Sequence, residues 1–159
     1  MHIKIIHKHQ WNEFLRLQSL LMRSDRGVEI IAKKEILEQL YHIFFIDLCV
    51  QKPPHYVWVA LSGNNYIGHL WGCVLPMQLA FEERKLNLFN VVVDQSYRRK
   101  GVGSKLYKHA ETFCLKNNVR TIDCQTKLFD KGAMNFCRKN GYVVDGVLFR
   151  RELLIKKYK

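Results

Sequence analysis

An apolar segment followed directly by a basic, glycine-containing stretch is the feature of this sequence that most restricts its fold. Residues 86–93 are apolar except for two asparagines. We therefore expect a strand that is buried on both faces of a sheet. Residues 94–101, which we call the basic loop, contain three adjacent cations and end at a glycine. Apolar residues at helical spacing then predict a helix from Val102 to Asn117.

A strand, a glycine-containing basic loop and a helix N-terminus together form an arrangement that is suited to binding phosphate. Glycine lets the backbone approach a ligand closely, and the first turn of a helix presents N–H donors without intrahelical acceptors. A Walker A loop requires G-x-x-x-x-G-K-[ST], which the segment lacks. A dinucleotide fingerprint requires a third glycine where Leu106 stands. The sequence therefore predicts a phosphate or pyrophosphate site of another type.

The periodicity of the remaining chain predicts an α/β or α+β domain with a mixed sheet, in the order β-α-α-β-β-β-α-β-α-β-β. We treat residues 1–159 as a single domain, because the sequence contains no repeat and no linker-like segment. Beyond the segment above, we predict strands at 2–7, 55–61, 66–75 and 121–126, helices at 11–22, 37–48 and 131–139, and a β-rich end at 142–158 that breaks at Asp145-Gly146.

The cysteines and the longest apolar runs narrow the class of protein. Five cysteines are an odd number and none lies in a C-x-x-C pair, so the sequence predicts reduced thiols, no zinc site and a cytoplasmic protein. No apolar run approaches the ~18 residues that span a bilayer, so we expect no membrane association.

The net charge of +12 is distributed unevenly along the chain. Residues 1–83 contain eight basic and eight acidic side chains, so the whole excess lies in residues 84–159. Such a half could bind a nucleic acid or the polyanionic ligand of an enzyme. The aromatic residues fall mainly at apolar, core-like positions, which disfavours a nucleic-acid partner.

The segment Arg98-Arg99-Lys100-Gly101-Val102-Gly103 resembles the acetyl-CoA motif R-x-x-G-x-G of the GNAT N-acetyltransferase superfamily. A second stretch, residues 133–142, resembles the helix-turn A-x-x-x-Y-x-x-x-G-[FY] of the same family. The resemblance covers nearly the whole chain in architecture and residues 86–142 in motif. It implies a GNAT-like, mostly antiparallel central sheet flanked by helices, and acetyl-CoA as the acyl-donor substrate.

The resemblance also assigns roles to particular residues. It implies that the end of the Leu86–Val93 strand, including Val91 and Val93, binds the pantetheine arm in a gap beside the strand at 121–126. It implies that backbone N–H groups from Arg99 to Ser104 bind the pyrophosphate. The residues implied in cofactor binding are Val91, Val93, Arg98, Arg99, Lys100, Gly101, Val102, Gly103 and Ser104.

The candidate catalytic residues are those at which the chain departs from the family pattern. Most family members have a tyrosine, proposed to protonate the leaving thiolate, where this chain has Cys137. We expect Cys137 either to donate that proton or only to pack. Many members have a glutamate base on the strand before the loop, where this chain offers Asn87 and Asn90. A water held by Asn90 is one alternative to a base at His69, Glu82 or Glu83.

The sequence thus predicts an acetyl-CoA-dependent N-acetyltransferase that moves an acetyl group to a primary amine by direct transfer in a ternary complex. The acceptor is a small molecule or a peptide, and a homodimer through the C-terminal strands remains open. Two alternatives stay open as well. One is a non-catalytic acetyl-CoA sensor, and the other is a basic nucleic-acid-binding module.

Overall fold

A computed structural model of the chain describes residues 1–24, 54–75, 84–126 and 128–146. The chain divides into two compact units, Met1–Gln125 and Thr126–Lys159, which are described separately below. The helix predicted at 37–48 lies outside the described residues, and so does the predicted C-terminal segment beyond residue 146.

Five strands of the described residues form a sheet in the first unit, and their spatial order follows the chain order. Strands β1 to β4 pair antiparallel, whereas β4 and β5 pair parallel and are joined by a helical crossover. The mixed, mostly antiparallel sheet confirms the predicted fold class. The strands are β1 (His2–Ile5), β2 (His55–Ser62), β3 (Asn65–Leu75), β4 (Lys85–Val93) and β5 (Thr121–Cys124).

Two helices cover opposite faces of this sheet. Helix α1 (Trp11–Ser24) buries Phe14 and Leu17 in a cluster with alternate residues of β2 such as Val57. The neighbouring Trp58 points to the other face, where its ring contacts Phe113 of helix α2 (Val102–Lys116). Because successive strand residues point to opposite faces, the sheet separates α1 from α2.

Strand β4 is not buried along its whole length, so the prediction of a strand buried on both faces is wrong. Leu86, Leu88 and Val92 are buried, but Phe89 is 44% exposed. The register between β3 and β4 shifts between Trp71 and Gly72, so that Phe89 forms a bulge. A bulge turns one extra side chain out of the regular alternation, which the apolar composition of the segment does not reveal.

His69 lies at the centre of the sheet face that α1 covers, and it is fully buried. Its Nδ1 atom lies 3.0 Å from the Tyr66 hydroxyl, and its Nε2 atom lies 3.0 Å from Gln18 Oε1. A neutral ring meets both contacts if Nε2–H donates to Gln18 and Nδ1 accepts from Tyr66. Burial lowers the pKa of His69 to about 3. His69 is therefore a core residue rather than the base considered above.

We expect acid to destabilise the fold through His69. The unfolded chain binds a proton at this residue below about pH 6.5, whereas the folded chain does not until about pH 3. The contribution of neutral His69 to the free energy of unfolding is therefore complete above pH 6.5, and it is lost as the pH falls towards 3. Between pH 7 and 4.5, the free energy of unfolding of His69→Gln should fall by about 3 kcal/mol less than that of the wild type. Urea unfolding at both pH values measures this difference. An equal fall in the free energy of unfolding for the two proteins would contradict it.

The second unit contains helix α3 (Lys131–Lys139), which matches the predicted range. The carboxylate of Asp130 caps its first turn by accepting a hydrogen bond from the Ala133 N–H at 2.9 Å. Gly141, with φ of 84°, follows the helix end in the left-handed conformation. Residues 142–146 form no strand, contrary to the prediction, and Val143 is 85% exposed. Valine content alone does not make a strand where no strand of the described residues pairs with it.

No helix in the described ranges is both long enough and apolar enough to cross a bilayer.

Candidate active site

The basic loop begins at a short 3-10 turn (Gln95–Tyr97) that one carboxylate organises. Asp94 Oδ1 accepts hydrogen bonds from the Ser96 N–H at 3.1 Å and from the Ser96 hydroxyl at 2.7 Å. The Asp94 N–H in turn donates to the carbonyl of Ile67 in β3 at 2.9 Å. The start of the loop is therefore tied to the sheet immediately after β4 ends.

The loop ends in a left-handed glycine that opens α2. Gly101 has φ of 79° and is the residue before the helix, and no side chain caps this helix end. The first intrahelical bond runs from the Lys105 N–H to the Gly101 carbonyl at 3.0 Å. The N–H groups of Val102, Gly103 and Ser104 precede that bond, so they lack acceptors within the helix. They form the positive end of the helix dipole, which favours an anion.

The three cationic side chains of the loop are exposed, and each has a different local environment. Arg98 folds back, and its Nε–H donates to the carbonyl of Val93 at 3.1 Å. The Lys100 ammonium lies 5.5 Å from the centroid of the Tyr97 ring. Arg99 has φ of 61°, a conformation that costs a non-glycine residue about 1 kcal/mol. The loop thus has a strained backbone and exposed positive charges next to the N-terminus of α2, which is the positive end of the helix dipole.

Strand β4 pairs with β5 over only part of its length. The ladder runs from Lys85–Thr121 to Leu88–Cys124, and the Phe89 bulge follows directly. From the bulge onward, β4 pairs with β3 on one side, and β5 ends on the other. Beyond Leu88, β4 therefore has no strand partner on that side within the described part of the first unit. We call this unpaired edge the gap beside β4, and it is where the resemblance implies the pantetheine arm.

The residues predicted on β4 point to both faces of the sheet at this gap. Asn90 lies opposite Trp71, so it shares the face that α1 covers. Val91 lies opposite Leu70, and Val93 lies opposite Gly68. These two valines share the other face, since a Cβ built on Gly68 would lie 3.5 Å from Val102 of α2. The end of β4 thus connects the gap to the helix N-terminus.

An aromatic cluster beside Asn90 was missed by the sequence analysis. The rings of Trp71, Phe89 and His55 lie 5.3 to 6.2 Å apart, centroid to centroid. Trp71 Nε1 and His55 Nδ1 are buried, and neither has a hydrogen-bond partner among the described residues. Burial lowers the pKa of His55, which favours the neutral imidazole. The cluster joins β2, β3 and β4, and no local sequence pattern signals it.

The structure describes the other candidates for the general base and acid to different extents. His69 is buried in the core with both ring nitrogens in contact with polar partners. Glu82 and Glu83 lie outside the described residues. Cys137 lies in α3 of the second unit, where the Tyr142 N–H donates to its carbonyl at 3.1 Å.

The geometry of the first unit fits the donor substrate that the resemblance implies. Coenzyme A carries roughly four negative charges, and three of the loop's side chains are cationic. The helix N-terminus presents three N–H groups for a pyrophosphate, and the gap beside β4 provides an edge for an extended amide chain. The donor would supply an activated thioester, and this chain would bind and orient it.

Comparison with solved structures shows where this fold occurs. An aminoglycoside acetyltransferase from an uncultured soil metagenomic sample, in complex with sisomicin, aligns with a TM-score of 0.70 and 22% identity, covering 98% of this chain and 96% of that one. An aminoglycoside N-acetyltransferase in complex with CoA aligns with a TM-score of 0.72 and 13% identity, covering 96% of this chain and all of that one. At these identities the likeness shows the fold alone.

Comparison of sequences identifies the family. An N-alpha-acetyltransferase 30 from Xenopus laevis is 26% identical over 137 residues, which are 86% of this chain and 48% of that protein. This chain therefore spans less than half the length of that relative. The model of the Acetyltransferase (GNAT) family matches residues 13–142, which include the basic loop and the helix-turn of the second unit. The chain belongs to the GNAT family of acetyltransferases.

Proposed function

We propose that this chain transfers the acetyl group of acetyl-CoA to a primary amine, directly and within a ternary complex. The observation that carries the proposal is that the unpaired edge of β4, the basic loop and the uncapped N-terminus of α2 follow one another along the chain and so form one path. One end of this path suits a pantetheine amide chain and the other suits a pyrophosphate. A donor held along it would place its thioester near the bulge.

In this proposal the chain acts mainly by position and by electrostatics. Backbone N–H groups near Val93 polarise the thioester carbonyl, and the neutral amine attacks its carbon. The C–S bond then breaks, and the amine nitrogen loses a proton while the thiolate gains one. A water held by Asn90 is our candidate for taking the first proton. Cys137 remains, on the resemblance alone, the candidate for giving the second.

We further propose that the acceptor is the α-amino group of a peptide whose first side chain is apolar. The aromatic cluster of Trp71, Phe89 and His55 lies on the same face as Asn90 and offers an uncharged surface. An apolar side chain beside the reacting amine would bury its surface there. The name of the N-alpha-acetyltransferase relative, which specifies an α-amino acceptor, supports the same class.

The test is acetyl-CoA turnover, followed by release of the CoA thiol, with a panel of lysine-free acceptors. Two peptides differ only in their first residue, leucine or aspartate, and a third carries leucine with a blocked N-terminus. Sisomicin and a polyamine complete the panel. We expect the leucine peptide to exceed the aspartate peptide at least tenfold in kcat/KM, as about one buried apolar side chain allows, and no turnover of the blocked peptide.

The panel separates this proposal from its competitors. A preference for sisomicin or the polyamine would overturn the peptide acceptor but keep the transferase. Binding of acetyl-CoA without turnover of any amine would favour the sensor instead. The two asparagines that β4 has in place of an acidic base are the observation that would then explain the missing activity.

A further inference from the structure

The second oxygen of Asp94 reaches a residue far away in the sequence. Asp94 Oδ1 holds the 3-10 turn of the basic loop, and Oδ2 accepts a hydrogen bond from Nη1 of Arg16 in α1 at 2.8 Å. The two residues are 78 positions apart. This hydrogen bond and the one to Ser96 hold the pKa of Asp94 at about 2, so the carboxylate stays ionised at neutral pH.

Further hydrogen bonds restrain the orientation of Arg16. Its Nε–H donates to Glu13 Oε2 at 2.9 Å, one helical turn away. Its Nη2 donates to the carbonyl of Tyr66 in β3 at 3.4 Å. One planar guanidinium therefore joins α1, β3 and the start of the basic loop, and a charged fork of this kind has little freedom once its acceptors are in place.

The loop needs such a support because its own bonds are few. Between Val93 and Gly101 the described bonds are the 3-10 turn, the Asp94 N–H to Ile67 and the return of Arg98 to Val93. Arg99 is held in a left-handed conformation that relaxes if its neighbours allow it. A shift of the loop start would tilt the N–H groups at the start of α2 away from a bound anion.

We propose that Arg16 is a positioning residue for the basic loop and raises the affinity of the chain for the pyrophosphate of its acyl donor. Arg16 acts through Asp94 and touches no part of the donor. The inference rests on the proposed function, because it assumes that the donor is acetyl-CoA. It adds a residue of the first helix, outside both family motifs quoted above, to the set that controls donor binding.

The test compares two donors with the same thioester. Acetyl-CoA carries the pyrophosphate, whereas S-acetylpantetheine ends before it. For Arg16→Ala we expect KM for acetyl-CoA to rise about fivefold to tenfold, the range of a partly exposed charge-assisted bond, with kcat unchanged. The kcat/KM for S-acetylpantetheine should stay within twofold of the wild type. Asp94→Asn should behave like Arg16→Ala, and the double variant should add little.

Two further variants serve as controls. Glu13→Gln removes the charge of one partner of Arg16 but keeps an amide oxygen that accepts from its Nε–H, and it leaves the bond to Asp94. KM for acetyl-CoA should therefore stay within twofold of the wild type. Arg16→Lys keeps one charge near Asp94 and should recover part of the loss, since a lysine cannot reach three acceptors in one plane.

Each outcome has one meaning. An equal fall in kcat/KM with both donors would show that Arg16 has a merely structural role, and it would overturn the inference. Unchanged KM values for acetyl-CoA would overturn the inference as well. Calorimetric titration with CoA separates the inference from the proposal beneath it. Wild-type protein that does not bind CoA would overturn the proposed function. Wild-type and Arg16→Ala proteins that bind CoA equally would overturn only the inference.

Discussion

Replacing Gly103 with aspartate should raise the dissociation constant for acetyl-CoA at least about a hundredfold without unfolding the protein. Gly103 is the second residue of α2, where its N–H group precedes the first intrahelical bond. A carboxylate at this position stabilises a helix by about 0.3–1 kcal/mol, so the fold should tolerate it. The same carboxylate would occupy the space of the pyrophosphate and repel it. Calorimetric titration of the folded variant with acetyl-CoA measures the change.

Two variants show which property of the new side chain matters. Gly103→Asn has nearly the same size without the charge, and it should lose less affinity than Gly103→Asp. Gly101→Asp should weaken acetyl-CoA binding to a similar extent, but its backbone at φ of 79° adds a cost of about 1 kcal/mol to folding. Retained affinity in both aspartate variants would show that the phosphates bind elsewhere.

Replacing Gly68 with alanine should lower the free energy of unfolding by about 2 kcal/mol, within the range for overpacked sites. A Cβ on Gly68 would lie 2.8 Å from the carbonyl oxygen of Val92 and 3.4 Å from the Cα of Val93. Both neighbours are backbone atoms, so no rotamer change relieves the contact. Strands β3 and β4 must separate instead, at the point where β4 leads into the basic loop. We therefore expect acetyl-CoA affinity to fall as well.

Urea unfolding of Gly68→Ala and of a matched control measures the effect on stability. Gly132→Ala makes the same change in the first turn of α3, where the nearest described atom to the new Cβ would be the Asp130 carboxylate oxygen at 3.4 Å. We expect this control to keep or slightly raise the free energy of unfolding, because alanine favours a helix over glycine. A Gly68→Ala protein as stable as the wild type would contradict the close approach of the two strands.

The elements that local chemistry determines were predictable. The hairpin turn at Gly63, the helix start after Gly101 and the helix end at Gly141 each coincide with a glycine of positive φ. Gly101 and the adjacent cations identified the basic loop, and together with Gly103 and residues 133–142 they indicated the family. These features need only a few consecutive residues, and so the sequence shows them directly.

The features that were mispredicted or missed depend on residues far apart in the chain. The exposed Phe89 results from a register shift against β3, and the aromatic cluster that Phe89 forms with Trp71 and His55 joins three strands. The bond between Arg16 and Asp94 joins two segments that carry no shared pattern. Periodicity describes one segment at a time, whereas bulges and long-range ion pairs belong to two.

Thermal unfolding with and without acetyl-CoA tests the central claim most directly, because a ligand that binds only the native state must stabilise it. At a ligand concentration about a hundred times the dissociation constant, the gain is about 2.7 kcal/mol. For a chain of this size we therefore expect millimolar acetyl-CoA to raise Tm by at least about 4 °C, and to have little effect on Gly103→Asp. An unchanged Tm for the wild type at millimolar acetyl-CoA would contradict the account.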